Sequence, residues 1–209
     1  MNTSMDAAFW DGRYAGSDLV WSAGPNQFVA EFASNLPIGR ALDLAGGEGR
    51  NALWLAERGW QSTLVDFSQV ALDRALQLAA DRLGDRADRL TVVCADLTAY
   101  APPAGSYDLV LVVYLHLTGP ILASVLQAAA AAVSPGGHLF VVGHHSDNLS
   151  EGVGGPQDPA ILYSENDLAA AVAGAGLTPV RVERVLRPTS SEPGAPVAID
   201  ALYIGQRPA

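Results

Sequence analysis

The chain has 209 residues, about half of them apolar and 16 % charged, which predicts one compact domain with a full core. Its twelve cations are all arginine and face 22 acids, for a net charge of -10. A broad basic face for gripping nucleic acid is therefore not expected, and the absence of lysine removes pyridoxal Schiff-base, P-loop and kinase-lysine chemistry.

Residues 1–37 contain the aromatic-rich run FWDGRYAGSDLVWSAGPNQFVAEFAS, which reads as a helical flap in two pieces over the sheet edge where ligands bind in open α/β folds. No basic start followed by an apolar run opens the chain, so no signal peptide and a cytoplasmic location are expected. Residues 38–209 then alternate. RALDLA is a first strand and RNALWLAERG a helix. QSTLVDF is a second strand, followed by SQVALDRALQLAADRLG, a helix capped by Ser68. DRLTVVCAD is a third strand, and its Cys94, the only cysteine, supports neither an internal disulfide nor a cysteine zinc site. YDLVLVVYLHL is a fourth strand, far shorter than the ~20 apolar residues a membrane span needs. PILASVLQAAAAAVSPGG reads as a helix closed by a proline–glycine stop, HLFVVGHH as a fifth strand, and SENDLAAAVAGAG as a helix capped by Ser164. PVRVERVLRP and AIDALYIGQRP have only turn residues between them and predict an antiparallel hairpin. The expected fold is α/β: a Rossmann-like, doubly wound, seven-stranded, mostly parallel sheet with an antiparallel C-terminal hairpin and helices on both faces.

The glycine turn DLAGGEGRN follows the first strand. Gly47, Gly49 and Ala52 satisfy G-x-G-x-x-G/A, and Asp66 follows about 20 residues on, as in dinucleotide sites. Asp43 and Glu48, however, would repel a pyrophosphate placed there. Acids stand at the ends of successive strands, Asp43, Asp66 and Asp96. That row suits a cationic, phosphate-free nucleoside such as S-adenosylmethionine, with the glycines serving close backbone approach.

On these residues the chain resembles the class I S-adenosylmethionine-dependent methyltransferases. LDLAGGEGRNA is similar to the family's first motif, VDFS to its ribose-binding acid and CADL to its adenine-binding acid. The opener WDGRY…VW and the short length resemble the small tellurite-resistance and thiopurine methyltransferase-like members. The resemblance implies S-adenosylmethionine as cofactor and assigns roles. Asp43 lies near the methionine amino group. The backbone of Gly46, Gly47 and Gly49 lines the methionine and ribose, and Arg50 or Asn51 takes the carboxylate. Asp66 binds the ribose hydroxyls, Phe67 meets adenine, and Asp96 and Leu97 hold the adenine edge. Trp10, Arg13, Tyr14 and Trp21 close over the ligand, an aromatic face suiting a sulfonium. Ala45, Ala95 and Val113 complete the implied set. Ala45 stands where the family's turn has its first glycine, which predicts a negative φ there.

Methyl transfer is an in-line displacement that needs a base only for a protonated nucleophile. Candidate bases are Tyr114 and His116 after the fourth strand and His144 and His145 after the fifth. His138 reads as structural, and no histidine spacing predicts a metal. The long run SDNLSEGVGGPQDPAILYS reads as a lid for the acceptor. A small-molecule acceptor is expected, with no nucleic acid or membrane partner and a monomeric or homodimeric protein. A non-catalytic cofactor-holding module and an NAD(P)-dependent oxidoreductase are the alternatives.

Overall fold

A computed structural model describes residues 7–16, 20, 24–190, 192 and 194–209. The contacts divide the chain into two compact units, Met1–Tyr100 and Ala101–Ala209.

The first unit contains α1 (Ala7–Tyr14), α2 (Gln27–Ala33), β1 (Arg40–Leu44), α3 (Arg50–Glu57), β2 (Gln61–Asp66), α4 (Gln69–Leu83) and β3 (Leu90–Cys94), with a 3-10 turn at Gly84–Arg89. β2 pairs in parallel with β1 on one side and β3 on the other. In α4 the buried residues are Ala71, Leu72, Ala75, Ala79 and Leu83, the stripe of a helix with one face inward. They pack with Leu53, Ala56, Leu64 and Leu90, and each buried leucine contributes roughly 1.5–3 kcal/mol. Ser68 caps α4 as expected, its Oγ accepting from the Ala71 N–H at 3.2 Å.

The second unit contains β4 (Tyr107–Val113), α5 (Gly119–Ala132), β5 (Val133–His144), α6 (Asn148–Glu151), a 3-10 turn at Pro159–Ile161, α7 (Glu165–Ala171), β6 (Thr178–Pro188) and β7 (Val197–Gln206). β4 pairs in parallel with β5, and β7 runs antiparallel to both β5 and β6. β7, hydrogen-bonded on both sides, is buried from Ala198 to Gly205, as suits a run that is apolar apart from Asp200. Ser164 caps α7 in a capping box with Asp167. The expected stop of α5 at Pro135–Gly137 comes earlier. Pro135 disfavours the helical conformation for Ser134, so the helix ends at Ala132 and the extended backbone of β5 begins at Val133.

The seven strands form one sheet in the order β3-β2-β1-β4-β5-β7-β6, parallel apart from the C-terminal hairpin. No helix among the described residues is long and apolar enough to cross a membrane.

Candidate functional site

In the first unit the chain leaves β1 through a tight turn into α3. Ala45 has φ +55°, Gly47 +56° and Gly49, the N-cap of α3, +78°. The expectation of a negative φ at Ala45 is therefore corrected. Alanine enters the left-handed region at about 1 kcal/mol, and the hydrogen bonds around it hold it there. The Gly47 N–H donates to Asp66 Oδ2 at 2.8 Å, the Gly46 N–H to the Val65 carbonyl at 3.3 Å, and the Gly49 N–H to the Gly46 carbonyl at 3.0 Å. Gly46 has to be glycine. A Cβ there would lie 2.4 Å from Leu64 Cδ1 and 2.8 Å from Asp43 Oδ2.

Two buried carboxylates flank this turn. Asp66, at the end of β2, also accepts from the Ser68 N–H at 3.0 Å. Burial raises its pKa, against the lowering effect of the Ser68, Gly47 and Phe67 amides. Asp43 is 1 % exposed. Its Oδ2 accepts from the Ala52 N–H at 3.2 Å, while Oδ1 is buried without a partner. Burial pushes its pKa up to about 7; the Ala52 N–H and Arg50 oppose the rise and Asp66 adds to it.

Glu48 corrects the electrostatic picture drawn from the turn. It is buried, paired with Arg74 at 2.6 Å, and accepts from the Val20 N–H at 2.9 Å. Its charge is compensated and does not face a ligand as a bare carboxylate. The acidic character left at the turn resides in Asp43 and Asp66.

The other expected cofactor residues are less alike. Asp96 is exposed, two residues beyond the end of β3, and its Oδ1 accepts from the Thr98 N–H and hydroxyl at 2.9 and 2.8 Å, an Asx turn. Phe67, Ala95, Leu97 and Arg50 are half-buried. Asn51 is buried, and its Oδ1 accepts from the Asn26 N–H at 2.9 Å, which ties it to the N-cap of α2. In α1, Trp10 stacks on the buried Tyr14 with ring centroids 5.7 Å apart, and the Arg13 guanidinium lies 5.5 Å from the Trp10 ring. Asp11 accepts from the Ser68 hydroxyl at 2.5 Å, so α1 docks beside Asp66 at the start of α4. Trp21 lies outside the described residues.

The second unit gathers a separate cluster. Tyr114, directly after β4, has φ +57° and donates to Asp200 Oδ2 at 2.7 Å. Asp200 is fully buried and also accepts from Arg187 Nε at 2.7 Å. The Arg187 pKa is raised, because its bond to Asp200 and its proximity to Tyr114 outweigh burial. The His144 ring stands 4.9 Å from that of Tyr114, and His116 stacks between His144 and Tyr163 at 5.4 and 5.5 Å. His116 Nδ1 is 3.1 Å from the Ile161 carbonyl. A carbonyl only accepts, so Nδ1 carries the proton and the buried, unpartnered Nε2 keeps a lone pair. Burial lowers the His116 pKa. It pushes His144 down to about 4, with Asp200 opposing and His116 and Arg187 adding. His144 Nδ1 is 3.5 Å from Asp200 Oδ1 but is not aligned for a hydrogen bond.

His145 has a different setting. Its Nδ1 accepts from the Asp147 N–H at 2.9 Å and its Nε2 meets Glu165 at 3.1 Å, so both nitrogens fasten the start of the 145–163 segment. Asn148 fastens it further, accepting from the Ile199 N–H at 2.8 Å and donating to the Gly154 carbonyl at 2.8 Å. The segment supplies Ile161 and Tyr163 to the cluster, and the Tyr163 hydroxyl donates to the Leu115 carbonyl at 3.1 Å. His138 is half-buried in β5, with its pKa lowered by burial, and Val113 is buried at the end of β4. No group of three or more His, Cys, Asp or Glu among the described residues is placed to hold a metal.

Sequence reading did not single out Tyr163, Arg187, Asp200 or Arg74. Asp200 carried a signal, as the one acid inside the apolar run AIDALYI.

The fold, with its glycine turn and paired strand-tip carboxylates, is of the Rossmann-like methyltransferase type. Residues 41–137 match the family model described as "Methyltransferase domain". That match covers a little under half of the chain and likens it to the S-adenosylmethionine-dependent methyltransferases, whose cofactor is S-adenosylmethionine. It is 35 % identical over 113 residues to the tRNA 5-carboxymethoxyuridine methyltransferase of Escherichia coli K12, covering 53 % of this chain and 42 % of that protein. It is 33 % identical over 102 residues to the ubiquinone biosynthesis O-methyltransferase of Marinobacter nauticus, covering 49 % and 42 %. The chain thus spans about two fifths of the length of these curated relatives. Among solved structures, one from work on conversion of a disulfide into a thioacetal during echinomycin biosynthesis aligns at TM-score 0.73 and 22 % identity, over 97 % of this chain and 92 % of that one. TehB from Haemophilus influenzae aligns at TM-score 0.69 and 16 % identity, over 96 % and 66 %. At these identities both show the fold.

Proposed function

We propose that this chain transfers a methyl group from S-adenosylmethionine to a small-molecule O, S or N nucleophile, as a single cytoplasmic domain acting as a monomer or homodimer. The observation that carries the reading is the turn at Ala45–Gly49 with two buried carboxylates beside it, one of which has a buried oxygen without a partner. An acceptor atom in that setting fits an ammonium and does not fit a diphosphate.

When bound, the cofactor supplies a methyl group already activated on a sulfonium. On this reading, Asp43 would take the amino group and Asp66 the ribose hydroxyls, using lone pairs that its amide bonds leave free. The amides of the turn would approach the nucleoside closely. Arg50 is the residue for the carboxylate, since Asn51 is engaged with Asn26. Phe67, Ala95, Asp96 and Leu97 would form the adenine side, with Trp10, Arg13 and Tyr14 on α1 shielding the site. For the acceptor, Tyr114, His116 and His144 are the candidate groups. His116 is suited to take a proton at neutral pH, because burial keeps it neutral and Nε2 holds its lone pair. His145 is better read as an anchor of the 145–163 segment.

The E. coli relative's name raises a tRNA acceptor for comparison. A chain with 12 arginines against 22 acids offers little positive charge for that role. A labelled-methyl transfer screen over phenols, thiols, amines and bulk tRNA separates the readings. Label in a small molecule supports the proposal; label only in tRNA replaces the acceptor class. Binding of S-adenosylhomocysteine with no transfer to any of them points to a cofactor-holding module.

A further inference from the structure

Asp43 is the most enclosed charged group of the cofactor turn. Its carboxyl sits beneath Gly46, whose missing side chain leaves room for it, and only one of its oxygens has a hydrogen-bond donor. The groups facing it are few. Arg50 approaches from α3, Asp66 from β2, with Asp11 of α1 behind Asp66. Glu48 in the same turn is spent on Arg74. The negative charge on Asp43 is thus supported by one amide, one half-buried arginine and nothing at Oδ1, while a second buried carboxylate opposes it.

Resting on the reading of this turn as the S-adenosylmethionine site, we infer that binding of the cofactor's amino-acid head expels a proton from the Asp43 carboxyl. The ligand's ammonium keeps its three protons and donates one hydrogen bond to Oδ1, the Asp43 proton leaves to solvent, and the buried charge pair replaces a buried neutral acid. Burial, with one oxygen left without a donor, keeps the carboxyl mostly neutral below about pH 7. Cofactor affinity is then linked to pH through one group. It is full above pH 8 and falls about tenfold by pH 6, the loss expected when a group titrating near 7 has to ionise before the ligand binds.

Isothermal titration with S-adenosylhomocysteine tests this, because the ligand has the same amino-acid head. The titration is run at pH 6, 7 and 8 in phosphate and in Tris, whose ionisation enthalpies differ. The expected result is a buffer-dependent enthalpy reporting close to one proton released at pH 6 and little at pH 8. Asp43→Asn should bind more weakly with no proton release. 5′-Methylthioadenosine, which lacks the amino-acid head, should bind the wild type without releasing a proton. Binding of S-adenosylhomocysteine with equal enthalpies in both buffers and equal affinity at pH 6 and 8 overturns the inference. So does equal proton release with 5′-methylthioadenosine or in Asp43→Asn, since the proton then comes from elsewhere. Absence of S-adenosylhomocysteine binding at every pH overturns the site assignment itself, a different failure.

Discussion

Asp43→Asn in the ligand-free protein should change how stability depends on pH. The carboxyl titrates at 3.8 when unperturbed and near 7 in the folded chain, so its ionised form is disfavoured there by about 4 kcal/mol at most. The sign follows from the raised value. The wild type has the full benefit of a neutral acid below about pH 4 and loses it as pH rises through 7. Asparagine never ionises and has no such loss. It does introduce an amide N–H where Oδ1 has no partner, at about 1–3 kcal/mol independent of pH. The variant should therefore gain on the wild type by about 3 kcal/mol between pH 5 and pH 8.5. Urea unfolding of both proteins at pH 5, 7 and 8.5 measures the gap directly. A gap that stays constant across that range would refute the reasoning, because the Asp43 charge would then be as well supported in the fold as in water.

Ala45 and Arg187 give two further expectations. Ala45→Gly should stay within about 0.5 kcal/mol of wild type, since relief of the left-handed strain offsets the usual loss of a glycine, whereas Ala45→Val should lose about 1–3 kcal/mol; equal thermal stability of the two variants would contradict the positive φ. Arg187→Ala leaves the fully buried Asp200 with the Tyr114 hydroxyl as its remaining hydrogen-bond donor among the described residues and should cost about 3–5 kcal/mol in denaturant unfolding, with Arg187→Ala/Asp200→Asn recovering much of the loss. Gly143→Ala places a Cβ in direct conflict with the Tyr163 hydroxyl, so it should destabilise by about 1–3 kcal/mol and disturb the near-ultraviolet circular dichroism of the tyrosines.

The fold was legible because its signals are local and agree. Apolar runs of strand length alternate with capped helices, and Ser68 and Ser164 both occupy the cap positions their neighbours imply. The boundary between α5 and β5 was less so, since the proline–glycine pair reads as a stop from either side. Of the glycine turn, Asp43, Asp66 and the glycines could be read from their order along the chain. The fate of Glu48 could not, because its partner Arg74 is 26 residues away and only the packing of α4 brings them together. The same holds for the Tyr114, His144, Arg187 and Asp200 network, in which residues 86 apart share a hydrogen bond. Pattern reasoning reports which faces are buried; it does not report which distant side chains meet there.

Ligand preference at the turn is the most direct test of the central claim. Thermal shift and titration with S-adenosylhomocysteine and, separately, with NADH compare a phosphate-free nucleoside that carries an ammonium with a dinucleotide diphosphate. A saturable stabilisation by S-adenosylhomocysteine and none by NADH is predicted; stabilisation by NADH with no response to S-adenosylhomocysteine would contradict it.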